Sequence, residues 1–206
     1  MSIVKLSNRG VRNVSEFGSL APGSMVFIKK VTASSDGDIS FVDGTSDVVL
    51  DDTYKEYIFT YNNMHPSADA AKFLFQGNAA GGSGYNETIT STFFYAYHAE
   101  ADDEANMSYY GGGDQAQGTA FQRLGSGGVG TDNDQSASGY LHLFNPSSTT
   151  FVKHFIATNS TYQNSDDVNH NFISGYFNTT SAIDEIQFKF DSGNIDAGDI
   201  CLYGIK

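Results

Sequence analysis

Apolar and polar residues alternate with a period of two along much of this chain, and that period predicts strands. The cleanest case is Ile186-Gln187-Phe188-Lys189-Phe190, apolar on one side and polar on the other. Tyr57, Phe59 and Tyr61 share one face of an earlier strand. Ile89, Phe93, Tyr95 and Tyr97 line one side of a longer strand, with Thr90, Thr92 and His98 on the other. Residues 73–75, Phe-Leu-Phe, are apolar on both faces, as at the centre of a sandwich. Residues 25–28 and 38–42 flank Ser35-Asp36-Gly37, a hairpin signal. Further strands are expected over 140–144, 151–157, 172–177, 183–190 and 199–205. One turn of helix can form over 67–72 after Pro66, and nothing longer keeps a 3.6-residue period. About ten strands with loops of variable length predict an all-β fold, an antiparallel two-sheet sandwich of jelly-roll type.

Two stretches interrupt the rhythm. Residues 77–85, GNAAGGSGY, read as a small, flexible connection. Residues 99–138 hold Asp102-Asp103-Glu104, Gly111-Gly112-Gly113 and a second glycine run over 125–130. Only short strands are expected there, near 107–110 and 119–124. Loops this long are usually functional or disordered, so the region is the first candidate for a contact surface.

The charge pattern sets residues 1–22 apart from a sandwich domain over 23–206. Lys5, Arg9 and Arg12 stand against one acid, Glu16, so this segment carries about +2 while the whole chain is −13. It reads as an arm or a peripheral strand, and Arg9 and Arg12 are candidate assembly residues. Its Ile3, Val4, Leu6, Val11 and Val14 could add a strand to a neighbouring sheet edge. A loosely ordered terminus is the plain alternative.

With 11 basic and 24 acidic residues and a pI near 4.5, the chain repels phosphate backbones, which argues against nucleic acid as a partner. No apolar run approaches the roughly 20 residues that span a bilayer, so no membrane association is expected. The N-terminus lacks the apolar core of a signal peptide, so synthesis in a cytoplasm without standard secretion is expected. The 16 Phe and 12 Tyr predict an aromatic core. Cys201 is the only cysteine, which leaves packing rather than disulfides to hold the fold.

Catalytic chemistry has little to stand on. The five histidines are scattered and none pairs with another at metal-ligand spacing. Gly125-Ser126-Gly127 begins like a nucleophile elbow, but the pattern fails at Val129 and sits in a glycine-rich loop. There is no P-loop. The acids Asp102, Asp103, Glu104, Asp132, Asp134, Asp166 and Asp167 could in principle serve glycoside hydrolysis or bind calcium. Solvated loop acids are the ordinary reading. No enzyme activity, cofactor or metal is therefore expected. Tyr109 and Tyr110, beside the glycine run, are candidate contacts for host-surface carbohydrate, with core or interface packing the stronger expectation.

The run from Thr179, TTSAIDEIQFKFDSGNIDAGDICLYGIK, resembles the closing segment of β-rich virion proteins of tailed bacteriophages. Ile183, Ile186, Phe188, Ser192, Gly193 and Ile195 fit its pattern, and so do Gly198, Ile200, Leu202, Tyr203, Gly204 and Ile205. The resemblance extends more loosely back to about residue 50. It implies a structural protein displayed on a virion, as capsid decoration or as a fibre or knob component. It further implies a homo-oligomer, by analogy a trimer, in contact with other virion proteins. A host-glycan-binding module is the alternative, and a glycan-degrading enzyme a more distant one. Gly193 and Gly198 are expected in turns or bulges that need positive φ.

Overall fold

A computed structural model describes residues 24–206. Arg9 and Arg12 lie outside the described residues. Twelve strands and no helix occupy residues 24–206. The first six are β1 (Met25–Thr32), β2 (Ile39–Val42), β3 (Glu56–Pro66), β4 (Phe73–Ala79), β5 (Ile89–Ala99) and β6 (Ala105–Tyr109). The rest are β7 (Gln122–Arg123), β8 (Ala137–Phe144), β9 (Lys153–Tyr162), β10 (Asp167–Phe177), β11 (Ile183–Phe190) and β12 (Ile195–Ile205). They form two antiparallel sheets, as the alternation predicts. The large sheet has eight strands in the order β1-β12-β3-β8-β9-β10-β5-β6, and the small one has four in the order β2-β11-β4-β7.

Aromatic side chains fill the space between the sheets. Phe188 of β11 lies 5.6 Å from Phe59, 5.9 Å from Phe73 and 6.3 Å from both Tyr61 and Phe75, ring centre to ring centre. Further along, Phe75 meets Phe155 edge-on at 5.1 Å and Phe177 at 6.3 Å. All these rings are buried, and each inward position is set by the two-residue period of its strand. The Phe-Leu-Phe strand is buried on both faces as expected, because loop residues cover its outer side. Gln76, on that outer side, donates to the carbonyls of Glu87 and Ala120 at 3.0 Å each.

Several local expectations give way to tertiary pairing. Strands β1 and β2 do not form a hairpin: β1 pairs with β12 in the large sheet and β2 with β11 in the small one. Ser35-Asp36-Gly37 instead crosses between layers, and Asp36 bridges to Ile195. Residues 67–72 make a turn rather than a helical one, because their backbone bonds elsewhere. Ser67 N donates to Asn194 O, Ala71 exchanges both hydrogen bonds with Val129, and Ala70 sits at φ 57°. Gly77 to Ala79, read as part of a flexible connection, continue β4 in the buried interior. Phe151, read as the start of a strand, is 69% exposed, and β9 begins at Lys153.

The C-terminal expectations fare better. Gly193 has φ 68°, and Gly198 has φ 124° at a register shift in the pairing of β12 with β3. A Cβ at Gly198 would lie 2.8 Å from the Asn63 carbonyl oxygen, so the bulge requires glycine.

A second bulge carries a half-buried carboxyl. Asp184 is the extra residue between Ile183 and Glu185, where β11 shifts register against β4. Its Oδ1 is buried with no partner among the described residues. Burial first, and then the nearby Glu185 and Asp43, raise this carboxyl above the ordinary 3.8. A raised folded-state value means the group favours the fold when protonated and opposes it once ionised. Asp184→Asn is therefore expected to stabilise at neutral pH by about 1 kcal/mol, or roughly 2–4 °C in Tm for a chain of this size. Thermal melts at neutral pH and below the carboxylate range check this, since the gain must fade as acid protonates the wild-type group.

Candidate functional site: an apolar sheet face and a polar cleft

One side of the large sheet packs on the small sheet, and the other faces outward. Antiparallel register brings its outward residues into rows. Tyr109, Phe94, Phe172, Thr158 and Tyr140 follow one another across β6, β5, β10, β9 and β8. The next row carries Ser174, Ile156, His142 and Ile58. Phe94 and Phe172 stack nearly parallel, 4.8 Å apart. His170 lies 4.1 Å from Phe172, and His142 lies 4.0 Å from Phe144.

This surface is apolar where a soluble sheet face is usually polar. Phe94 is 43% exposed, Tyr140 41%, Ile156 47% and Met107 73%. Two shallow hollows adjoin at Ile156 and Ser174. One, of about 530 Å³, opens between Tyr176, His154 and Phe144, and the other, of about 250 Å³, lies between Phe94, Phe172 and Tyr140. Across β6, β5, β10, β9, β8 and β3 the only charged side chain facing outward is Glu56, whose Oε2 lies 2.9 Å from His142 Nε2. On a chain of charge −13 such a neutral area is a concentrated feature. Large exposed apolar patches mark interaction sites.

The sheet's inward side ends in a polar region beyond the aromatic core. Here Asn159, Thr161, Asn169 and Asn171 occupy inward positions of β9 and β10 and are buried. Their amide and hydroxyl groups bond one another, Asp167 and the second glycine run, while Asn159 Oδ1 is left without a partner among the described residues. Ser126 N donates to Asn171 Oδ1 at 2.9 Å, and Ser126 Oγ to Asn169 Oδ1 at 2.7 Å. That run is thus pinned rather than loose, with Val129 buried and bridged to both Ala71 and Gln163. A Cβ at Gly128 would lie 2.0 Å from the Ala70 carbonyl oxygen, so only glycine admits this close approach. Between the run and the strands lies a cleft of about 240 Å³, flanked by Tyr95, Tyr97, Glu104, Gln163 and Asp167.

The two candidate tyrosines part company. Tyr109 faces outward, 57% exposed, and its hydroxyl bonds the Asp114 carboxylate, which raises its pKa. Tyr110 turns inward, packs 5.2 Å from Phe93 and accepts a 2.8 Å hydrogen bond from Arg123. Consecutive strand residues point to opposite faces, so the pair forms no single platform. Asp134 lines a third hollow with His65 and Asp196. Among the described residues no three His, Cys, Asp or Glu side chains converge as a metal site.

The expected contact region over 99–138 divides accordingly. Strand β6 contributes Tyr109 and Met107 to the outer face, whereas residues 124–130 mainly line the interior. Sequence reading missed Phe94, Tyr140, Ile156 and Phe172 as a surface. A usable signal was present in the apolar residues on both faces of β5 and β8. Compared with family models, curated proteins and solved structures, the chain has no match, so its functional reading rests on these residues.

Proposed function

We propose that this chain is a structural protein of a virion, displayed on the particle, and that its copies assemble through the outer face of the large sheet. The carrying observation is that face, aromatic and nearly free of charge on a strongly acidic protein. Copies of charge −13 repel one another over most of their surface. They approach at least cost through an area without carboxylates, and the exposed ridges and adjoining hollows suit self-complementary packing.

Size is consistent with this occupant. Six strands at about 4.8 Å spacing and eight residues at about 3.4 Å rise give roughly 29 by 27 Å, or about 780 Å². A stable interface buries about 800 Å² per partner. The virion setting draws on the resemblance of residues 179–206, where Ile186, Phe188, Ile195, Ile200 and Leu202 are all core residues. Those matches support the fold directly and the setting through the family. Capsid decoration or a fibre or knob component remains the proposed place, and a closed homo-oligomer, by that resemblance a trimer, the proposed state.

Sedimentation equilibrium of the full chain at micromolar concentration tests the assembly. An oligomer that Phe172→Glu dissociates is the expected result. A wild-type monomer would remove the basis for constitutive assembly through this face.

A further inference from the structure

The cleft on the inward side of the sheet is separate from the apolar face, and its chemistry is different. Six acids, Glu100, Asp102, Asp103, Glu104, Asp166 and Asp167, gather where the β5–β6 and β9–β10 turns meet, since Glu100 N donates to Asp166 O at 3.0 Å. Neither turn contains a Lys or Arg, and among the described residues the cation candidate beside them is His98, 3.2 Å from Asp102. Two of the acids enter the cleft. Glu104 Oε1 accepts the Tyr97 hydroxyl at 2.7 Å, leaving its second oxygen without a protein partner among the described residues. Asp167 is aimed by Ser165 at 2.8 Å and Asn169 at 3.1 Å, and a carboxylate has acceptor capacity left after two such bonds. The rings of Tyr95 and Tyr97 lie nearly parallel, 6.0 Å apart, along the same wall. Gln163 adds an amide.

Such a site suits a planar cation. Carboxylates offer bidentate acceptors that match a guanidinium fork, and tyrosine faces attract and stack on it. An anionic ligand would be repelled. The chain has three arginines: Arg123 is engaged with Tyr110, and the other two are Arg9 and Arg12, three residues apart in the basic first 22 residues. From Ser24 to Arg9 is 15 residues, up to about 50 Å when extended. From β1 to β10 is five strand spacings, about 24 Å, and register places Ser24 at the Phe177 end of β10, ten residues or about 34 Å along the strand from Asp167, so the span is roughly 42 Å. An extended segment can therefore carry Arg9 to this cleft on its own copy, and either arginine to the cleft of an adjoining copy.

We propose that the cleft walled by Tyr95, Tyr97, Glu104 and Asp167 is a guanidinium receptor, and that its occupant is Arg9 or Arg12 of this same chain. Methylguanidinium is the probe, titrated while the ring resonances of Tyr95 and Tyr97 are followed by NMR in full-length protein. In the Arg9→Gln/Arg12→Gln variant, saturable shifts are expected. Glu104→Gln or Asp167→Asn in that background should abolish them while the core resonances of Phe188 stay in place. In the wild type the chain's own arginines compete, so apparent affinity should fall at least about threefold, as an effective concentration in the millimolar range implies. A wild-type response that weakens with rising protein concentration identifies a neighbour's arginine, and one independent of concentration the chain's own. No saturable shift in the double variant overturns the receptor. Equal affinity in wild type and double variant overturns the arginines as its occupant.

Discussion

Phe188→Ala is expected to destabilise the fold by about 3–5 kcal/mol, the range for deleting a buried phenylalanine. At this chain length that lowers Tm by roughly 6–20 °C. The side chain is fully buried and contacts rings from both sheets, including Phe59 of β3 and Phe73 and Phe75 of β4. Removing it takes apolar contact from the seam between layers, and neighbours held by their own strands can relax only partly into the space. Phe151→Ala supplies the comparison. That ring is 69% exposed, and its loss should stay within about 0.5 kcal/mol. Denaturant melts of the two variants should separate cleanly. Equal losses would mean that the layers do not meet at Phe188.

Ile156→Glu is the second large effect. Ile156 sits where the two hollows of the outer face adjoin, 47% exposed in the single chain. In an assembled face a carboxylate here would be desolvated with no outward Lys or Arg on strands β3, β5, β6, β8, β9 or β10 to pair with it, and each copy would bring one. Association should weaken about 100-fold or more, the equivalent of ~2.7 kcal/mol. The fold itself should be unaffected, because the residue points away from the core. Ser83→Glu adds the same charge in an exposed loop beside the small sheet and should leave association unchanged. Sedimentation equilibrium of both variants reads the difference. Equal weakening would point to net charge rather than to this face.

Sequence alone carried the fold class because burial here follows strand period closely. Tyr57, Phe59 and Tyr61 alternate inward as read, and so do Ile186, Phe188 and Phe190. What it could not supply was the order of strands. Of the three pairings in the small sheet, none joins consecutive strands. A turn such as Ser35-Asp36-Gly37 looks the same locally whether it closes a hairpin or crosses between layers. The polar halves of β9 and β10 were hidden for another reason. Asn159, Thr161, Asn169 and Asn171 hold inward positions without being apolar, and only their mutual hydrogen bonds make burial affordable.

The candidate surface was less legible than the core. Phe94 and Phe172 stack although 78 residues separate them, because β5 and β10 are neighbours. The residues matching the virion pattern were legible, yet six of them serve the core. Tyr109 and Tyr110 looked like a pair on paper and are divided by the pleat. Tyr97 was placed on the correct side of its strand, but Asp167, which also lines the cleft, was read as loop. The cleft therefore had no second wall in the sequence.

Four of the five histidines lie within or beside the apolar patch, and His65 lies apart from it in the hollow with Asp134 and Asp196, which allows a direct measurement of what that face does. Diethyl pyrocarbonate modification, read site by site by mass spectrometry, should be compared between wild-type oligomer and dissociated Ile156→Glu protein. Assembly through the face predicts that His154 and His170, both exposed in the single chain, are protected in the oligomer and react once it dissociates, while His65 reacts equally in both. Full reactivity of His154 and His170 within an intact oligomer would contradict it.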